Sequence, residues 1–217
     1  MQDHKSAGGR RTEKSIRLFR NPVLEAMSRV HPAVPLLVWT PFVLFLMGRA
    51  VMVHDMSMAV IGAMAAAGLM IWTLTEYLLH RFLFHYPAKS RLGRWLVFLF
   101  HGVHHDAPRD RTRLVMPPAA AVLILAFLWF LFSLFIPYPL IEPFIAAFVV
   151  GYLIYDYIHY ATHHFSMKHP LLRFLKQYHM HHHYSSDEGR FGVSSPFWDI
   201  VFGTYPRQQS MRRTDRG

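Results

Sequence analysis

The chain has no cysteine among its 217 residues, which excludes disulfides, thiolate metal sites and iron–sulfur clusters, so any metal must be held by nitrogen and oxygen. Charge is scarce too. Only 17% of residues are charged against 53% apolar, a balance that excludes an ordinary small soluble domain and points to the membrane class. Acid is the rarer sign, with 13 Asp and Glu against 23 Lys and Arg and a formal net charge of +10. Because these bases flank apolar stretches, the expected counter-charge is anionic lipid and not nucleic acid. Met1 to Arg20 lacks the apolar core of a cleavable signal peptide and is expected to belong to a flexible, basic cytoplasmic arm, residues 1–29.

What is present is organised by long apolar runs. Ala33 to Val53, Met56 to Leu79, Ala119 to Ile136 and Ile141 to Tyr157 each approach the roughly 20 residues that a helix needs to cross a bilayer. They are expected as four transmembrane helices in two hairpins, within an integral-membrane unit, residues 30–206, followed by a polar tail, 207–217. Lys and Arg crowd the arm, the segment Arg81 to Arg113 and the stretch after the fourth run, while the two short loops hold Asp55 and Glu142, with Arg49 just inside. The positive-inside rule then assigns both termini and the middle segment to the cytoplasmic side.

The histidines fall on that same side. Ten of the 16 lie in four groups: His80 and His85; His101, His104 and His105; His159 and His163; His179, His182 and His183. Positions i, i+3 and i+4 share a helix face about 100° wide, so each triple is expected to converge on one point, as is the pair His159 and His163. His80 and His85 lie roughly 140° apart on an ideal helix. Either the helix ends between them or they serve different metals, and Pro87 favours an ending. Ten imidazoles exceed one coordination sphere, which points to two metals in one cluster. His4, His31, His54, His164, His169 and His181 are expected outside it. Glu76, Asp106, Asp156 and Asp187 neighbour the groups as acceptors able to orient ligand rings, with Asp156, one turn before His159, the foremost.

The runs "EYLLHRFLFH", "HGVHHDAPRDRTRLVMPP", "YDYIHYATHH" and "YHMHHHYSSDEGRFGVSSPFWDIVFGTY" together resemble the membrane fatty acid 2-hydroxylases of the fatty acid hydroxylase and sterol desaturase superfamily, from about Glu76 to Tyr205. The resemblance implies an all-α membrane protein whose cytoplasmic helical cap holds a histidine-rich dimetal site, two iron ions in the active state, with zinc able to occupy the same imidazoles. It carries the ligand set onto His80, His85, His101, His104, His105, His159, His163, His179, His182 and His183, His163 being exchangeable with its neighbour His164 in the motif. The implied reaction is hydroxylation by dioxygen at the carbon next to the carboxyl of a long-chain fatty acid or ceramide-type lipid. No haem is expected in this chain, so electrons are expected from a separate electron-transfer protein. Arg113 is a candidate to hold the substrate carboxylate or head group. Phe191, Phe197 and Trp198 are expected to rest at the membrane interface. Arginine over lysine favours a bacterial inner membrane, with the endoplasmic reticulum as the eukaryotic counterpart. Sterols, carotenoids and amino-acid lipids are rival substrates, and a metal transporter is the rival class.

Overall fold

The computed structural model describes residues 15–185 and 189–205, and all regular structure among them is helical. The expectations for residues 1–14, His4, Asp187 and the tail 207–217 lie outside the described residues. The described part of the arm is not free chain. It includes α1, Pro22–Met27, started by Asn21, whose side-chain oxygen accepts from Val23 N (2.9 Å) and Leu24 N (3.3 Å) ahead of a helix-compatible Pro22.

Among the described residues three helices are long and apolar enough to cross a membrane: α2, Val34–Met52; α3, Met58–Leu78, which runs on through a π-helical turn, Leu79–Phe84; and α7, Ile141–His164. Between them lie α4, Arg91–Val97, a second π-helical turn, Phe98–Gly102, α5, Val103–Asp106, and α6, Pro118–Ser133. The third predicted span thus forms a 16-residue helix, shorter than the other three. After α7 come α8, Pro170–Tyr184, and the short α9, Phe197–Val201.

The core is built around α7. Trp39 and Leu46 of α2, Trp72 of α3 and Phe144, Phe148 and Tyr152 of α7 form one buried cluster. By contrast, α2, α3 and α6 turn large apolar side chains outward, Met52, Leu37 and Leu123 among them, each more than 70% exposed. In water such surface would cost roughly 25 cal/mol per Å². Facing lipid it costs nothing, so the outer helices are free of the alternation that soluble helices need.

Two glycines let α3 approach α7. A Cβ on Gly68 would sit 2.2 Å from the Phe144 carbonyl oxygen, and one on Gly151 would sit 2.6 Å from the Trp72 ring. The obstacle at Gly68 is backbone, which cannot swing aside. Gly68→Val is therefore expected to push the helices apart and destabilise the protein by about 3 kcal/mol, read as a lowered thermal unfolding midpoint in detergent. Gly62→Val, whose Cβ meets nothing within 4 Å, serves as the matched control.

Candidate metal centre

The ends of α3 and α7, the segment around α5 and the last turns of α8 bring the ten histidines of the four sequence groups together. They form two sets of five. His80, His85, His101, His105 and His182 make the first set, and His104, His159, His163, His179 and His183 the second; within each, one nitrogen from every ring lies within 4.8 Å of all the others.

Three local features produce this partition, and one of them corrects the sequence reading. The helix ends between His80 and His85, at Phe84, and the two histidines belong to one set. Its last residues widen into a π turn, closed by His85 N–H to His80 O at 3.1 Å, and an i→i+5 turn brings residues five apart onto one face. The triples do not converge on one point. In α8, His179 and His183 stand together, Nε2 to Nε2 3.0 Å, while His182 reaches His85 at 3.0 Å. Residues i and i+4 differ by about 40° around a helix, but i+3 falls about 60° to the other side of i, so each triple straddles both sets. His101 and His105 likewise pair at 2.9 Å while His104 meets His159 at 3.0 Å and His183 at 3.1 Å. The pair His159 and His163 does share one set.

The sets adjoin, since the rings of His105 and His183 stack at 4.0 Å between centroids. Their spacing fits a metal. With bonds of about 2.0–2.1 Å, nitrogens on one ion stand about 2.9 Å apart at right angles and about 3.3 Å apart at tetrahedral angles. The observed Nε2 pairs span 2.9 to 3.1 Å. Hydrogen bonds alone cannot satisfy such a cage. His80 Nδ1 and His182 Nδ1 face the carbonyls of Phe191 (2.5 Å) and Gly189 (2.8 Å), so their protons point outward and their Nε2 lone pairs point in. Burial, reinforced by neighbouring imidazoles, holds His101, His104 and His179 well below the ordinary histidine range and His105 at about 3. Neutral imidazole is the form that ligates.

His164 stands outside both sets, its ring packed on Tyr160 at 4.5 Å, whereas His163 Nε2 meets His179 Nε2 at 2.9 Å. His181 is exposed and bonded to the Ser185 hydroxyl. Phe191 is not at an interface: it is 5% exposed and its ring caps His80, His85 and His182 at 5.7–5.8 Å. Phe197 is exposed, and Trp198 donates to Thr73 at 3.0 Å.

The acidic residues act less directly than their sequence positions suggest. Glu76 touches no histidine in the hydrogen-bond network; it accepts from Val193 N (2.7 Å), Ser194 N (2.8 Å) and the Ser194 hydroxyl. Asp199, which the sequence reading missed, accepts from Phe191 N (2.9 Å), Gly192 N (2.7 Å) and Thr204 Oγ1 (2.7 Å). A lone acid in "FWD" carried no signal for this. Asp156 is buried beside Met116 and Tyr152, with Oδ2 lacking a hydrogen-bond partner.

A cavity of about 490 Å³ opens beside both sets, lined by His101, His104, His159 and Asp156 together with apolar residues of α1 and of the 114–120 segment. Arg113 also lines it, but its guanidinium is engaged: Glu25 Oε1 accepts at 2.5 Å, Ile16 O and Ser28 O at 2.9 Å, and the Ser28 hydroxyl at 2.5 Å. A narrower apolar crevice among α2, α3, α6 and α7 shares Phe84, Met116 and Tyr155 with this cavity.

The fatty acid hydroxylase family model matches residues 65–204. The chain belongs to the fatty acid hydroxylase family. The hydroxylase is 37% identical over 191 residues to the dihydroceramide fatty acyl 2-hydroxylase FAH2 of Arabidopsis thaliana, covering 88% of this chain and 80% of that protein. It is 37% identical over 214 residues to the fatty acid 2-hydroxylase of Rattus norvegicus, covering 88% of this chain and 57% of that one. A solved structure of full-length scs7p, with only its hydroxylase domain visible, superposes with a TM-score of 0.80 at 38% identity, covering 85% of this chain and 70% of the other. The histidine sets of the hydroxylase lie within the matched region.

Proposed function

We propose that this hydroxylase is a di-iron monooxygenase acting on the 2-position of a long-chain fatty acid or of a ceramide-type acyl chain. The observation that carries the reading is that rings from both histidine sets, His101 from one and His104 and His159 from the other, face a single cavity that adjoins an apolar crevice. The ten imidazoles would hold two iron ions, and the chemistry these would supply, given two electrons and two protons from outside, is insertion of one atom of dioxygen into a C–H bond with the other reduced to water. The chain's own residues orient the lipid. The crevice between Trp39, Trp72, Leu128 and Phe148 receives the acyl chain, and the wider cavity receives the polar head. There the unpartnered Asp156 Oδ2 accepts from an N–H or O–H of the head group, fixing the adjoining carbon beside the histidines. Arg113 contributes by holding Ser28, which lines the cavity, and by anchoring α1 through Glu25.

In this reading α2, α3, α6 and α7 span the membrane as two hairpins, and α4, α5, α8 and α9 form a cytoplasmic cap, as the distribution of Lys and Arg supports. Electrons come from a separate electron-transfer protein. The chain has no cysteine for an iron–sulfur cluster of its own.

The test is reconstitution with iron, a reducing system, ¹⁸O-labelled dioxygen and a lipid bearing a long acyl chain. Mass spectrometry should find one labelled hydroxyl at carbon 2. A label at another carbon, or transfer to a sterol but to no acyl chain, would sink the assignment.

A further inference from the structure

The two histidine sets differ in what stands behind their rings. In the first, His80 and His182 are each anchored through Nδ1 to a loop carbonyl, Phe191 O and Gly189 O. In the second, Nδ1 of His104, of His179 and of His183 is buried without a hydrogen-bond partner. The loop behind the first set is itself fastened. Glu76 grips the backbone N–H groups of Val193 and Ser194, and Asp199 those of Phe191 and Gly192, both carboxylates being buried.

This contrast has a chemical consequence. An ion bound at Nε2 obliges a neutral imidazole to carry its proton on Nδ1. In the first set that proton has a waiting acceptor at two rings, which fixes the tautomer, aims the lone pair and makes the ring a stronger donor. In the second set three such protons would be buried with none, so binding there must desolvate or rearrange them. We infer that the two metal positions are unequal: the His80, His85, His101, His105, His182 set is the tight site, the other is the exchangeable one, and Glu76 and Asp199 are positioning residues for the tight site alone.

The inference rests on the metal-site reading, and its test separates the two. Full-length protein in detergent is loaded with zinc(II), which has no redox chemistry, and challenged with excess chelator while released zinc is followed by a colorimetric dye. Two equivalents should leave in two phases, with affinities differing by about 10–100-fold. His179→Ala should abolish the fast phase and keep the slow one. Glu76→Gln and Asp199→Asn should accelerate the slow phase by about 10-fold or more and leave the fast phase unchanged. Release of both equivalents at one rate overturns the inference, as does loss of the slow phase in His179→Ala, or equal acceleration of both phases by Glu76→Gln. Protein that takes up no zinc overturns the metal-site reading itself. Should either loop variant fail to fold, judged by near-ultraviolet circular dichroism, the wild-type and His179→Ala traces still decide.

Discussion

His104→Ala is expected to lower formation of the 2-hydroxylated product by more than about 100-fold. Residues that merely support a ligand ring cost 10–100-fold when replaced, and His104 is itself one of five converging donors. It is 3% exposed, meets both His159 and His183 through Nε2, and forms part of the cavity wall. Its loss removes a donor and leaves a void beside the substrate. His181→Ala is the comparison, because that ring is exposed and, among the described residues, bonds the Ser185 hydroxyl at the cap of its own helix. Its product yield should stay within about twofold of wild type, the range of an exposed substitution away from any site. Product per milligram, read by mass spectrometry, checks both. Equal losses in the two variants would show that histidine number, and not placement, governs activity.

Arg113→Ala is expected to act on stability before it acts on binding. The guanidinium is almost wholly buried and donates to Glu25 Oε1, Ile16 O and Ser28, so truncation leaves these acceptors short of a donor, while Glu25 keeps Arg29 at 3.0 Å and the backbone N–H groups of Leu18 and Phe19. Leaving buried acceptors unsatisfied costs about 2–4 kcal/mol in all. For a chain of this size that lowers the unfolding midpoint by about 4–16 °C. A double variant, Glu25→Gln with Arg113→Met, should recover part of the loss, since the apolar Met fills the space of the arginine stem beside a neutral partner. If Arg113 acted only on the lipid head, Arg113→Ala would raise KM and leave the midpoint where it was. The acid limb of stability follows the same pair. Burial works to raise the Glu25 pKa, but the backbone N–H groups of Phe19 and Leu18, then Arg29 and Arg113, bring it down to about 2 from an ordinary 4.5. A depressed carboxyl stabilises fully above its ordinary value, and that contribution fades as pH falls from 4.5 through 2.

The sequence was most legible where chemistry interrupts hydrophobicity. Histidines at the ends of apolar runs have few other uses, so all ten cluster members could be picked out from four short stretches. What spacing could not supply was the side from which neighbouring elements approach. Helical angle separates His182 from His183, but only the positions of His85 on one flank and His179 on the other send them to different sets. The π turn at His80 was hidden because i→i+5 pairing leaves no mark in residue type. Arg113 was misleading for a simpler reason: its partner Glu25 lies 88 residues away, and in sequence an arginine near a histidine group reads as unpaired. Asp199 was missed, and Glu76 was singled out but with ring nitrogens as its expected partners, because both act on a loop's backbone, and any acid at the right distance could have done so.

At the start of α7, Glu142 is clasped by Arg49 at 3.0 Å and His54 at 3.3 Å, with Tyr138 bonded to Arg49 at 2.7 Å; His159 and His163 occupy its final turns. A 24-residue helix measures about 36 Å, against a hydrocarbon slab of about 30 Å. In the proposed membrane arrangement its first turn would be moored at one surface, and this rod would work as a depth gauge that sets how far beyond the opposite surface the imidazoles emerge. Inserting one extra turn midway along it would shift that distance by about 5.4 Å, and with it the carbon of an anchored lipid that the centre can reach.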